Sequence, residues 1–358
     1  MAVAGKLQPG CAPSNCHHSV TDASAQCSCA LLWASERSRP VLIMPAPASL
    51  LAAVDLGSNA FRMVIGHGMP SAHGHHFYEL ETLREPVRLA EGLQHNNELD
   101  KHAMIRGLRA LDKFGSRLRG FQAGQVRAVA TNTVRIAVNA DVFLAEARER
   151  LGFPIEVISG QEEARLVYAG IAHAHADVAD ERLVVDIGGG STELIVGRGA
   201  TPFALESLPI GSGTFSKRYF PDGRISSQAF QEAEWHAASE FEKVAAVFRQ
   251  HRWQQAIGSS GTARVLAKVL RTCGLNDKGA GAISYSGLLR LTVQLLDAGR
   301  IDRLKLPGIE ESRLATLPGG VAIMLAAFKS LAITQMETSR PALRLGLLHS
   351  LHCQSAVA

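Results

Sequence analysis

Cysteine is scarce where a folded core would need it. Four of the six, Cys11, Cys16, Cys27 and Cys29, crowd the first 29 residues, and only Cys273 and Cys353 occupy the rest of the 358-residue chain. Two isolated thiols cannot form a disulfide framework, so the fold must rest on apolar burial, and a reducing, cytoplasmic setting is the plain expectation. His17 and His18 stand beside the N-terminal group, but the spacing matches no zinc pattern. No run of 18 apolar residues occurs, which excludes a transmembrane helix and argues against a membrane partner. Neither sign of charge is in large excess. The formal net charge of +4 tolerates a polyanionic ligand without demanding one, and no nucleic-acid partner is expected. A Walker A loop is absent, which excludes the P-loop NTPases.

What is present is a soluble composition, 46% hydrophobic and 20% charged, long enough for two domains. It is organised around residues 183–197, which read LVVDIGGGSTELIVG. Two short β-branched runs flank Asp186, Gly188, Gly189, Gly190, Ser191 and Thr192, as in buried strands joined by a turn. Three glycines predict either positive φ or a main chain close to a ligand, and bare N–H groups there would form an anion nest. A plain hairpin with a solvated aspartate is the competing reading, but such a hairpin needs one glycine rather than three.

The stretch has a partner at residues 53–66, AVDLGSNAFRMVIG. At a constant offset of 131, Asp55 falls on Asp186, Gly57 on Gly188, Arg62 on Glu193 and Gly66 on Gly197. Such a repeat implies two similar halves, each offering a strand–turn–strand loop to a shared cleft. One loop ends in a cation and the other in an anion. That asymmetry suits a polyphosphate clamped between them, with metal or water on the glutamate side.

The paired loops resemble the phosphate loops of the superfamily that holds acetate kinase, the sugar kinases, actin and the actin-like heat-shock chaperones. Further motifs narrow the resemblance to the Ppx/GppA phosphatases, the exopolyphosphatases and guanosine pentaphosphate phosphohydrolases. These are DLGSNAFRMVI at 55–65, RLAEGL at 88–93, ATNTVRIAVNA at 130–140, ISGQEEARLVYAGI at 158–171, DIGGGSTELIVG at 186–197 and GSSGT at 258–262. The resemblance covers about residues 50–350. It implies an α/β fold of the actin-like ATPase type, with two ribonuclease H-like domains around a cleft. It further implies Mg²⁺, a substrate that is inorganic polyphosphate or the stringent-response alarmone pppGpp, and a homodimer. No His-Asp dipeptide occurs, so the form expected is the short one without the HD-type C-terminal domain. Two family acids are replaced: Ala315 stands where an Asp often follows the arginine equivalent to Arg313, and residues 340–346 read RPALRLG where Asp-Gly-Ala-Leu-Arg-Glu-Gly is usual.

Taken in order, residues 1–46 lack periodicity and read as a disordered extension, with Met44 a plausible start. Arg37, Arg39 and the apolar run after them mimic a signal peptide, but Pro45 and Pro47 interrupt it and cleavage would remove the first strand. Phosphate-loop domain I spans 47–170, domain II 171–350, and a tail 351–358. Strands are expected at 50–66 around the turn, 78–83, 87–89, 125–130 and 155–158, then at 183–197, 203–208 and 255–258. Asp100 is expected to cap the first helix. Further helices are expected at 141–150, 227–250, 284–298, 310–332 and 342–352, the fourth broken near Pro318. Ser159 and Glu162 form a capping-box pattern. Glu163, by contrast, shares the face of Leu166, Val167 and Gly170, where an unpartnered carboxylate is unfavourable. It is the candidate general base, and the resemblance places the family's proposed catalytic glutamate there. A first-turn contribution to the helix dipole is the alternative.

The site expected is therefore catalytic Glu163, Asp186 and Glu193, with Asp186 and Glu193 also the candidate metal ligands. The phosphate-binding set is Asp55, Gly57, Ser58, Asn59, Arg62, Thr131, Asn132, Arg135, Gly188, Gly189, Gly190, Ser191, Thr192 and Gly261. The activity expected is exopolyphosphatase, with pppGpp 5′-phosphohydrolase and a non-catalytic alarmone sensor as alternatives.

Overall fold

The computed structural model describes residues 50–71, 74–175, 180–277, 279, 281–340 and 342–355. The expected N-terminal extension, with its four cysteines, lies outside the described residues. Residues Pro47–Ala358 form one compact unit built on two sheets. Among the described residues no helix is long and apolar enough to cross a membrane.

The first sheet contains β1 (Leu51–Leu56), β2 (Phe61–Ser71), β3 (Gly74–Glu85), β4 (Val126–Ala130) and β5 (Ile155–Val157), in the order β3-β2-β1-β4-β5. The second contains β6 (Glu181–Ile187), β7 (Thr192–Arg198), β8 (Thr201–Leu208), β9 (Gln255–Gly258), β10 (Ile283–Ser284) and β11 (Gln335–Thr338). Read from β8, its order is β8-β7-β6-β9-β11-β10. Each sheet therefore has an antiparallel three-strand meander with parallel strands added on the far side of its first strand, the second sheet ending in β10, antiparallel to β11. This is the doubled ribonuclease H-like architecture of the actin-like ATPase fold. The sequence repeat is a register repeat as well: Asp55 pairs across the hairpin with Arg62, and Asp186 with Glu193. Gly66 and Gly197 both sit at register shifts of their meanders. A Cβ on Gly66 would lie 2.5 Å from Tyr78 O and one on Gly197 2.4 Å from Thr201 O, so the bulge explains why glycine recurs there.

The helices are α1 (Lys101–Arg117), α2 (Asn132–Ile136), α3 (Ala140–Leu151), α4 (Gly160–Ala174), α5 (Ser212–Tyr219), α6 (Ser227–Arg249), α7 (Gly261–Thr272), α8 (Tyr285–Ala298), α9 (Glu311–Leu314), α10 (Leu317–Ser330) and α11 (Leu343–Ser355). Asp100 caps α1 by accepting from Ala103 N at 2.7 Å. On α6, Phe230, Ala233, Ala237, Phe241 and Phe248 are buried as one stripe, and α10, apolar almost all round, packs against it. Helices α4 and α11 join the two sheets. They share one apolar cluster with Leu51, Ala53 and Val64 of the first sheet and Val184, Ile195 and Ile257 of the second. Gly170 and Gly346 let these helices touch backbone to backbone, since a Cβ on either would fall about 2 Å from a carbonyl oxygen of the other helix segment.

Several local expectations are corrected. Residues 87–89 are not a strand: a 3₁₀ turn, Leu89–Gly92, follows Arg88, which takes a left-handed conformation with φ 52°. Strands β10 and β11, four residues or fewer, carry too little pattern to be seen in sequence. The expected 310–332 helix is interrupted near Pro318: α9 ends at Leu314 and α10 starts at Leu317, with Pro318 in its first turn, where its missing N–H is harmless. The Ser159 cap is present, accepting from Glu162 N at 3.1 Å. Glu162 does not reach back to complete a box, however. Its carboxylate is taken by Arg165 in two 2.7 Å hydrogen bonds.

Candidate active site

Two loops at corresponding strand ends meet at the centre of the molecule. Residues 57–60 join β1 to β2 and residues 188–191 join β6 to β7. None of Gly57, Gly188, Gly189 or Gly190 has positive φ. The glycines serve close approach instead, and what approaches is the rest of the protein. A Cβ on Gly189 would lie 3.1 Å from Ser58 Cβ, and one on Gly190 2.5 Å from Asn132 Oδ1. A Cβ on Gly211 would lie 2.4 Å from Gly190 N. Only bare backbone lets the two loops abut. The second loop is also tied down at its back. Gly188 N–H donates to Ser191 O, and the N–H groups of Ser212, Gly213 and Thr214 at the start of α5 donate to the carbonyls of Gly188 and Gly189.

A cavity of about 120 Å³ opens between the loops. Asp55 and Asp186 come to it from the ends of β1 and β6, Glu193 from β7 and Glu163 from the first turn of α4. Gly57, Ser58, Asn59, Arg62, Thr131, Gly188, Gly189, Ser191 and Gly261 complete the part of the wall that the sequence pointed to. Four expected residues stand outside it. Thr192 is fully buried, its hydroxyl donating to Ile210 O at 2.7 Å. Gly190 is closed in by Asn132 and Gly211, and Asn132 in turn packs on it behind the loop. Arg135 turns to Glu163, donating to its Oε2 at 3.2 Å and to Ile158 O at 2.8 Å. It thus holds the glutamate rather than facing the cavity.

Other wall residues were not among those expected. Arg264, Arg313, Arg340 and Arg344 line the cavity, as do Ser212, Ser259, Ser260 and Thr262. The serines and Thr262 border glycine-rich turns that were legible. The arginines lie on α7, α9, α11 and the loop before α11, and no local pattern brings them to one point. Gly261 is their pivot: a Cβ there would lie 3.2 Å from Arg313 Nη1 and 3.3 Å from Arg62 Nη2.

The electrostatics are divided. Burial raises all four carboxyls above their ordinary range. Asp55 is pushed up to about 6, its burial opposed by Arg62 and Arg344 and reinforced by Asp186. Glu163 is pushed up to about 8 by burial, opposed by Arg135 and reinforced by Asp55. Asp186 is raised by burial, against a 2.6 Å hydrogen bond from Ser259 Oγ. Glu193 is raised well up by burial and by Glu163 and Asp186, although the Ser191 and Ser207 hydroxyls oppose this. The arginines are shifted the other way: burial and their like-charged neighbours lower Arg264 and Arg313 to about 10. No ion pair joins Arg62 to Glu193 among the described residues, so the two faces do not neutralise one another. An anion is called for on one side and a proton or cation on the other.

Divalent metal fits this donor set. Among the described residues no group of three or more His, Cys, Asp and Glu side chains forms a metal cage. Mg²⁺ needs none, because it is commonly held by one or two carboxylates, waters and substrate phosphate oxygens. The unneutralised carboxyls supply the hard oxygens.

The comparisons agree with the geometry. The model of the Ppx/GppA phosphatase family matches residues 70–354. Among solved structures, an exopolyphosphatase from Cytophaga hutchinsonii is 24% identical with a TM-score of 0.73, covering 85% of this chain and 98% of its own. A Ppx/GppA enzyme from Aquifex aeolicus is 23% identical with a TM-score of 0.67, over 85% of this chain and all of its own. An exopolyphosphatase-like protein is 22% identical with a TM-score of 0.73, over 86% and 99%. At these identities the structures speak for the fold.

Proposed function

The chain belongs to the Ppx/GppA phosphatase family and is a phosphoric-anhydride hydrolase; we propose that it removes the terminal phosphate from inorganic polyphosphate, releasing orthophosphate. The observation that carries this reading is the placement of five arginines, Arg62, Arg264, Arg313, Arg340 and Arg344, on the wall that also bears the four carboxyls. A cleft walled by that much positive charge, with no aromatic ring among the described residues of its wall, suits a ligand that is phosphate throughout.

In this mechanism the main-chain N–H groups of the two loops not already donating within the protein, with the Ser58 hydroxyl, hold the oxygens of the terminal phosphate. Arg62 forks onto the oxygens of the chain being released. Glu163, oriented by Arg135, accepts a proton from a water as the water oxygen bonds to the terminal phosphorus. The anhydride P–O bond breaks, and the shortened chain leaves with the bridging oxygen. Asp186, fixed by Ser259, and Glu193, fixed by Ser207, orient the water. When bound by Asp186 and Glu193, Mg²⁺ would supply positive charge to the phosphate oxygens.

A second reading, hydrolysis of pppGpp to ppGpp, has one observation in its favour. A cavity of about 970 Å³ adjoins the loops at Ser58, Asn59 and Gly189, room enough for a guanosine beside the phosphate loops. Phosphate release from polyphosphate and from pppGpp, with and without Mg²⁺, separates the readings. Polyphosphate should give at least a tenfold higher kcat/KM; a higher value on pppGpp would overturn the substrate assignment.

A further inference from the structure

Beside Gly261 a second, outer cavity of about 370 Å³ adjoins the catalytic one. The two share Arg62, Gly261, Arg264, Arg313 and Arg344, so they adjoin across these side chains. Arg84 and Lys268 line only the outer space. Its wall carries six cations against one carboxylate, Glu310.

Three details indicate that this charge awaits a ligand. Arg84 on β3 is the direct cross-strand partner of Arg62 on β2. Two like charges side by side on a sheet are unfavourable unless something stands between them. The buried Arg84 Nε has no hydrogen-bond partner, and the one anion near Arg84, Glu310, pairs with its Nη1 at 3.7 Å without a hydrogen bond. Lys268 donates to Gly308 O. That bond occupies one of its three donors and holds the ammonium at the rim.

We propose that Arg84 and Lys268 form an outer subsite that grips internal phosphates of a long polyphosphate and so sets a chain-length preference. The proposal rests on the polyphosphate reading of the adjoining centre. Among the described residues the outer wall has no aromatic ring, so a nucleoside would find nothing there to stack on. A single phosphate at the reacting centre would leave the outer cations unmet, whereas a linear chain carries a charge at every unit and can follow the arginines outward. The subsite contributes to holding the chain rather than to the bond-breaking step, because neither side chain touches the catalytic cavity.

The test uses the full chain with the double substitution Arg84→Gln and Lys268→Gln, assayed by phosphate release on tripolyphosphate and on a long-chain polyphosphate. KM for the long chain should rise about tenfold or more, as expected on losing charge-assisted hydrogen bonds. KM for tripolyphosphate and both kcat values should hold, and the salt dependence of the long-chain KM should flatten. Thermal melts check that the variant folds, and the charge-keeping Lys268→Arg should retain the long-chain KM. An unchanged long-chain KM, or an equal rise for both lengths, overturns the subsite. Should the wild type release phosphate from no polyphosphate, the reaction assignment fails separately. Equilibrium binding of a fluorescently end-labelled long polyphosphate then decides the subsite: tenfold weaker binding by the double variant supports it, and equal binding overturns it.

Discussion

Replacing Glu163 with glutamine should stabilise the protein and abolish its activity together. The carboxyl is buried and pushed from 4.5 to about 8, chiefly by burial, with Asp55 and Asp186 adding and Arg135 opposing. A carboxyl raised in the folded state contributes its full stability below the unfolded pKa. That stability is lost as pH rises through the interval from 4.5 to about 8. At pH 7 roughly 2.5 pH units of that interval have been crossed, at about 1.4 kcal/mol each, so the unfavourable contribution is on the order of 3 kcal/mol. Glutamine keeps the shape and cannot ionise, so the contribution disappears. For a unit of this size that corresponds to a rise in Tm of roughly 5 °C. Melts of wild type and variant at pH 5 and pH 8, in metal-free buffer, measure it. The two Tm values should nearly coincide at pH 5 and separate by several degrees at pH 8. Phosphate release should meanwhile fall on the order of a hundredfold or more. A Tm difference that does not change with pH, or retained turnover in a folded variant, refutes the reasoning.

Arg62→Lys keeps the charge and loses the fork, so KM for polyphosphate should rise while Tm holds; a lowered Tm with normal kinetics would make the residue structural. Glu193→Gln should lower kcat and weaken the Mg²⁺ dependence, and kinetics identical to wild type would remove it from the mechanism. Arg135→Gln removes the cation that opposes the rise at Glu163, so the ascending limb of the kcat/KM pH profile should move to higher pH. A profile that stays in place would show that Arg135 does not tune the base. Gly346→Ala places a Cβ 2.0 Å from Leu166 O. It should destabilise the protein by about 1–3 kcal/mol in urea unfolding as α4 and α11 are forced apart; unaltered stability would contradict that packing.

The site was partly legible because its strand ends are short-range features. β-branched runs beside glycine read as strand–turn–strand, and the offset of 131 carried Asp55, Arg62, Asp186 and Glu193 to paired register positions. Glu163 was legible from helix phase, since a carboxylate in line with Leu166, Val167 and Gly170 points inward. Arg135 was misassigned for a related reason. Its place after the β4 tip is visible in sequence, but whether its guanidinium meets phosphate or Glu163 depends on α4, which begins 25 residues later. The glycines of the second loop were recognised, but the reason for them was not. Positive φ is a local property, whereas room for Ser58, Asn132 and Gly211 is set by chain far away in sequence.

Period, spacing and side-chain type were enough to dictate two like halves, two glycine-bearing strand–turn–strand loops, a buried glutamate in α4 and the absence of a Walker loop. Tertiary structure decided which groups share one space. It set four carboxyls against arginines contributed from β2, α7, α9, the segment before α11 and α11 itself, and it turned Thr192 and Arg135 away from the cavity. The physical reason is that burial and long-range electrostatics act through distance in space. No separation along the chain records that Arg84 and Arg62 stand side by side, or that Arg313 and Gly261 touch.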